Sequence, residues 1–130
     1  MKTVWVVDDD PVYKFLIARI LKSAQGIESH LEFENGKHAY DHLLELIERK
    51  ANLPEMILLD LNMPIWDGWT FLTKYNELTL DAKPDVFICS SSIDSADFAK
   101  AKHHKCVKKF YTKPLALHDI SEMLHLIQSS

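Results

Sequence analysis

Four places in the sequence put polar chemistry at the end of a short strand-like run. Asp8-Asp9-Asp10 follows Thr3–Val7, and Asp60, with Asn62 two residues on, follows Met56–Leu59. Ser90-Ser91-Ser92 follows Val86–Cys89, and Lys113-Pro114 closes the run from Val107 to Tyr111. Carboxylates, hydroxyls and one ammonium, with no apolar pocket between them, suit a hard divalent cation together with a phosphoryl group. Mg²⁺ prefers oxygen ligands and keeps some of its waters. Crowded carboxylates raise one another's pKa values unless a cation intervenes, and Lys113 would neutralise part of the remaining charge. Taken singly these signals are ordinary: Asp10 before Pro11 reads as a helix cap, and a lone Lys-Pro means nothing. Asp60 is harder to dismiss, because a fully apolar strand leaves it little choice of direction. The weight comes from four strand ends agreeing.

The elements that must position these residues alternate along the chain. After the first strand, Val12, Phe15, Leu16, Ala18, Arg19, Ile20 and Leu21 recur at helical spacing, and Gly26 is expected to end that helix. His30-Leu31-Glu32-Phe33 alternates like a half-exposed strand, and Asn35-Gly36 reads as a turn. Ala39, Tyr40, Leu43, Leu44, Leu46 and Ile47 predict a second amphipathic helix, and Met56–Leu59 a central buried strand. Trp69, Phe71, Leu72, Tyr75 and Leu78 predict a third helix, and Val86–Cys89 a fourth strand. Asp94 would cap a short fourth helix, Val107–Tyr111 forms the fifth strand and Leu117–Ile127 the fifth helix. Five strands alternating with five helices imply an α/β fold whose mainly parallel sheet is covered on both faces. In such sheets ligands sit beyond the carboxyl ends of the strands, where the four polar clusters fall.

Composition sets the class. The 130 residues suit one domain, and 47% apolar with 26% charged residues is the profile of a globular chain. A net charge of −4 argues against a nucleic-acid binder working by bulk electrostatics. No apolar run approaches the roughly 20 residues of a transmembrane helix, and no signal peptide is evident, so no membrane association and a cytoplasmic location are expected. The two cysteines, Cys89 and Cys106, form no framework.

Together, Val6-Val7-Asp8-Asp9-Asp10-Pro11, Leu58-Leu59-Asp60-Leu61-Asn62-Met63-Pro64 with Asp67-Gly68, Phe87-Ile88-Cys89-Ser90 and Phe110-Tyr111-Thr112-Lys113-Pro114 resemble a response-regulator receiver domain of two-component signalling. The resemblance spans essentially the whole chain. An acceptor Asp followed by Met-Pro and then Asp-Gly is its most specific element. It implies a flavodoxin-like (βα)₅ doubly wound fold with strand order 2-1-3-4-5, an order the chemotaxis receiver exemplifies. A single receiver domain over residues 1–130 is expected, with no output domain.

The resemblance also implies roles. Asp60 would accept a phosphoryl group from the phosphohistidine of a histidine kinase or phosphotransfer protein. Asp9 would bind Mg²⁺ (or Mn²⁺) directly, Asp8 mostly through water, Asp60 through its carboxylate and Asn62 through its backbone carbonyl. Ser90 would hydrogen-bond one phosphoryl oxygen and Lys113 would pair with another. Phe110, three residues before the lysine, would swing inward as Ser90 moves, and Asn62 and Ser92 would tune the phosphoryl lifetime. Signalling would pass through the face of the fourth helix, fifth strand and fifth helix to an unidentified protein target, with a homodimer through that face as one outcome. Lys100, Lys102, Lys105, Lys108 and Lys109 cluster there and would favour an acidic partner. The chain would then be no enzyme beyond self-catalysed phosphotransfer and autodephosphorylation.

Departures and rivals are specific. Ser91 is small but polar where the family commonly has a small residue, often alanine. The stretch from Leu44 to Leu53 is longer than in many receivers, so either the second helix is extended or the loop carries a partner contact. Asp8 and Asp10 have the Asp-x-Asp spacing of haloacid-dehalogenase phosphohydrolases, against which stand Pro11 and the missing cap domain. A degenerate receiver that only binds partners would not need the full set Asp8, Asp9, Asp60, Ser90 and Lys113. A flavodoxin-like FMN protein needs a hydroxyl-rich loop where three acids stand. His38 and His42, four apart on a helix, lack a third ligand nearby.

Overall fold

The computed structural model describes residues 2–80 and 83–128. Its elements alternate strictly: β1 (Lys2–Val7), α1 (Pro11–Ser23), β2 (Ile27–Phe33), α2 (Gly36–Glu48), β3 (Met56–Leu59), α3 (Gly68–Asn76), β4 (Asp85–Ser90), α4 (Ser95–Ala101), β5 (Val107–Thr112) and α5 (Leu117–Gln128). The five strands pair in parallel in the order β2-β1-β3-β4-β5, the doubly wound arrangement expected from the sequence. The unbroken apolar runs have a simple cause: both faces of the central strands are covered. Val4, Val6, Met56, Leu58, Phe87 and Cys89 pack with Tyr13, Ile17 and Leu21 of α1 and with Ile120, Met123 and Leu124 of α5. Trp5, Val7, Ile57, Leu59, Val86 and Ile88 pack instead with Ala39 and Leu43 of α2 and with Phe71, Leu72 and Tyr75 of α3.

Register carries this alternation to the carboxyl edge. Phe33, Val7, Leu59, Ile88 and Phe110 form one cross-strand row. The residues that follow Val7 and Leu59 are Asp8 and Asp60, so both acids leave the sheet side by side. Capping sets where the helices start. Asp10 accepts from the Val12 amide at 2.9 Å, Asp67 from Thr70 at 2.8 Å, and Asp94 and Asp97 form a reciprocal capping box.

Three local expectations need correction. Asn35-Gly36 is a helix start rather than a free turn, because the Asn35 side chain accepts from His38 N at 3.0 Å and caps α2. α1 ends at Ser23, before Gly26, whose φ of +96° turns the chain into β2. The buried stripe of α1 is Tyr13, Ile17 and Leu21, while Val12, Phe15 and Leu16 are 67%, 62% and 50% exposed. The helix carries two apolar stripes, and tertiary packing selects Tyr13, Ile17 and Leu21. The long stretch before β3 resolves into α2 ending at Glu48, followed by loop rather than further helix.

The loop from β3 to α3 is anchored by backbone contact. Gly68 N donates to Leu61 O at 3.0 Å, and a Cβ on Gly68 would stand 2.5 Å from the Asp60 carbonyl oxygen. The Gly68→Ala variant is therefore expected to lose at least about 2 kcal/mol of stability, because a backbone atom cannot give way as a flexible side chain would. Urea unfolding that matched the parent would contradict this close approach.

Candidate functional site

The site is assembled by main-chain bonds before any side chain contributes. Asp8 N donates to Phe33 O, Asp60 N to Val7 O, and Lys113 N to Ser90 O, each at 3.0 Å. These bonds extend the sheet one residue past its strands and align the three functional backbones. The Lys113-Pro114 peptide is cis. Asp8 Oδ1 then accepts from Asp10 N at 2.9 Å, and Asp60 Oδ1 accepts from Leu61 N at 2.9 Å. Lys113 Nζ pairs with Asp8 Oδ2 and lies 3.6 Å from Asp60 Oδ2. Carboxylate oxygens of Asp8, Asp9 and Asp60 all lie within 4.8 Å of one another. Asp8 and Asp60 are buried and Asp9 is exposed, so the cluster opens to solvent on one side.

Electrostatics follow from that burial. Desolvation, and secondarily the Asp8 charge, push the Asp60 carboxyl up to about 6, against the opposing pull of Lys113 and the Leu61 and Asn62 amides. Burial likewise lifts Asp8, despite its bond to Lys113. At Lys113 burial acts downward, but the two carboxylates outweigh it and leave the ammonium above its usual range. One lysine thus serves two buried acids with a third beside them. An all-oxygen set of this kind, short of positive charge and open to water on one side, fits a hard divalent cation.

The other expected residues fall around this centre. Ser90 is fully buried, and its hydroxyl is held by its own loop, donating to Ser92 O at 3.2 Å and accepting from Ser92 N at 3.4 Å. Asn62 and Ser92 are exposed at the rim. Phe110 is half-buried against the α2–α3 side of the core and stacks on Phe98 of α4, ring centroids 4.6 Å apart. Among the clustered lysines, Lys109 pairs with Glu122 at 2.6 Å and Lys108 with Asp85 at 4.0 Å, while Lys100 lies over the Trp69 ring. Those internal pairings reduce the positive charge available to a partner. His42 packs against Trp5 and Phe33, and His38 is exposed, so this pair forms no common site. Cys89 and Cys106 are both free. Sequence reasoning missed Tyr13, whose buried ring lies 4.1 Å from Lys113 Nζ. The spacing Tyr13, Ile17, Leu21 was the available signal.

The Asp60 shift has a definite sign in stability. Its carboxyl titrates near 6 when folded against an ordinary 3.8, so the folded chain holds this proton where the unfolded chain has lost it. The group's contribution to stability therefore falls as pH rises from about 4 to about 6, and the penalty is complete above that. With chelator present, Asp60→Asn is expected to exceed the parent by about 1–3 kcal/mol at pH 7.5 and to match it near pH 4. Urea titrations at both pH values check this, and an equal difference at both would refute the assignment.

The profile of the response regulator receiver domain matches residues 4–125. A protein-glutamate methylesterase/protein-glutamine glutaminase of Treponema pallidum is 30% identical over 123 residues, which is 95% of this chain and 28% of that protein. The chain thus spans less than a third of that relative's length. A two-component response regulator from Cytophaga hutchinsonii superposes with a TM-score of 0.88 at 27% identity, covering 98% of this chain and 97% of the other. The Mn²⁺-bound form of response regulator Rcp1 superposes at 0.73 and 27% identity, covering 99% and 93%. No helix among the described residues is long and apolar enough to cross a membrane. With its order of strands and its acidic edge, the chain belongs to the response regulator receiver domain family.

Proposed function

We propose that this protein is a phosphoacceptor switch of the cytoplasm, taking a phosphoryl group on Asp60 from the phosphohistidine of a histidine kinase or phosphotransfer protein. The observation that carries the reading is the convergence of Asp8, Asp9, Asp60 and Lys113 at one sheet edge. Asp8, Asp9, the Asp60 carboxylate and the Asn62 backbone carbonyl would hold Mg²⁺ or Mn²⁺. The bound ion supplies charge neutralisation for the transferring oxygens. Leu61 N–H fixes the Asp60 carboxylate plane so that it can attack phosphorus in line. The new bond is Asp60 O–P, the bond that breaks is histidine N–P, and the imidazole leaves with its electron pair. Lys113 pairs with one equatorial oxygen, and Ser90 turns from Ser92 O to donate to another. Electrostatic stabilisation of this kind is typically the largest catalytic contribution.

The space Ser90 vacates is taken by Phe110, which leaves its stack with Phe98 and changes the α4-β5-α5 face. That face carries the signal to a downstream protein or to a second copy of the chain. Docking of the phosphodonor is supported by Val12, Phe15 and Leu16, exposed on the helix that starts at Asp10, and by Ile65, exposed in the loop that starts at Asp60. An apolar surface beside an acidic cleft suits a protein donor.

Incubation with a small acyl-phosphate donor and Mg²⁺ is expected to add one phosphoryl group by intact mass, none with chelator and none in Asp60→Asn. Absence of any adduct together with absence of Mg²⁺ binding would leave only the degenerate interaction module. Phe15→Glu is expected to keep the small-donor reaction at the parent's rate. It should slow transfer from a phosphorylated histidine protein at least about tenfold, since charge replaces a docking side chain. Equal losses with both donors would place Phe15 in the fold rather than in docking.

A further inference from the structure

Tyr13 stands in the site's immediate surroundings, and neither metal binding nor phosphoryl chemistry gives it a task. Its residue is 8% exposed, and its ring centroid lies 4.1 Å from Lys113 Nζ. Its hydroxyl is buried and has the thiol of Cys89 beside it. Asp10 fixes its place: the cap carboxylate accepts from Tyr13 N at 3.3 Å, so the residue that starts α1 also sets the ring beside the lysine.

The Lys113 side chain is only 14% exposed and reaches two acids at once, Asp8 directly and Asp60 at 3.6 Å. Two carboxylates do not hold an ammonium on a flexible four-carbon stem in one position, since it can shift toward either. A ring face attracts the cation through its quadrupole and does so more strongly when water is excluded. It also occupies the space into which the stem would otherwise collapse. We propose that Tyr13 is a positioning residue, its ring face seating the Lys113 ammonium between Asp8 and Asp60 for phosphoryl transfer. The inference rests on the phosphoacceptor reading above. It assigns the task to the ring and not to the hydroxyl.

The test compares Tyr13→Phe, which keeps the ring, with Tyr13→Leu, which keeps only apolar bulk, after circular dichroism has shown both folded. With an acyl-phosphate donor and Mg²⁺, Tyr13→Phe is expected to phosphorylate at the parent's rate. Tyr13→Leu is expected to lose about tenfold in maximal rate with the half-saturating donor concentration unchanged. In a Lys113→Ala background the same Tyr13→Leu change should cost nothing further, which a merely structural role would not produce. A Leu variant at the parent's rate, a Phe variant as slow as Leu, or an undiminished loss in the Lys113→Ala background would each overturn the proposal. A second readout does not need phosphorylation. The ε-methylene protons of Lys113 should show an upfield ring-current shift by NMR that persists in Tyr13→Phe and disappears in Tyr13→Leu. That shift with neither phosphorylation nor Mg²⁺ binding in any variant would refute the phosphoacceptor reading and leave the seating of the lysine standing; its absence in the parent would refute the seating.

Discussion

The structure is organised around a shortage of positive charge in a place from which water has been removed. Asp8 and Asp60 emerge side by side from the neighbouring central strands β1 and β3, and a single ammonium, Lys113, lies between them. Burial of ionised carboxylates without full compensation is costly, so every nearby device limits that cost. Asp8 takes one backbone amide and Asp60 takes those of Leu61 and Asn62. On the proposed function, that residual imbalance would make the site receptive to cations and, through them, to phosphoryl oxygens.

The fold around this imbalance is built for placement. Parallel pairing delivers Asp8, Asp60 and Lys113 to one edge, and the main-chain bonds Asp60 N–Val7 O and Lys113 N–Ser90 O tie their backbones together. Gly68 brings α3 against the Asp60 carbonyl more closely than any side chain would allow. In the same loop Ile65 adopts φ +67°, a left-handed conformation that β-branched residues rarely take, with its side chain 73% exposed. Such strain is sustained where the surrounding structure over-determines the backbone, here between Asp60 and the Asp67 cap of α3.

Much of this was legible before any coordinates. Strand runs such as Met56–Leu59 are read correctly because burial on both faces leaves only apolar residues, and a polar residue after them can only mark an edge. The caps Asp10 and Asp94 announce their helices through short side chains that reach their own backbone; Asp67, which caps α3, was visible in the sequence only as part of a motif. What failed has a physical reason too. α1 offers two apolar stripes of similar strength, and only packing against α5 and β1 decides that Tyr13, Ile17 and Leu21 turn inward. The proximity of Tyr13 to Lys113 joins residues a hundred positions apart, which local periodicity cannot reveal. Ser90 could be placed at its strand end, but its hydroxyl engaging Ser92 depends on loop conformation rather than residue type.

The fourth helix has a consequence in the energetics of local opening. Ser95–Ala101 is seven residues long and has no buried residue. A helix of that length does not sustain itself in water. It is held by the Asp94–Asp97 capping box, by Phe98 resting on Phe110 and by Lys100 over Trp69. Its free energy of opening therefore lies at the low end of the molecule's range, well below that of the strands it flanks. Were Phe110 to leave its stack as proposed, one of those three attachments would be gone, and the segment could shift or unwind without disturbing the core. The sheet thus behaves as a rigid frame, and conformational freedom is concentrated in the one helix that the core does not claim.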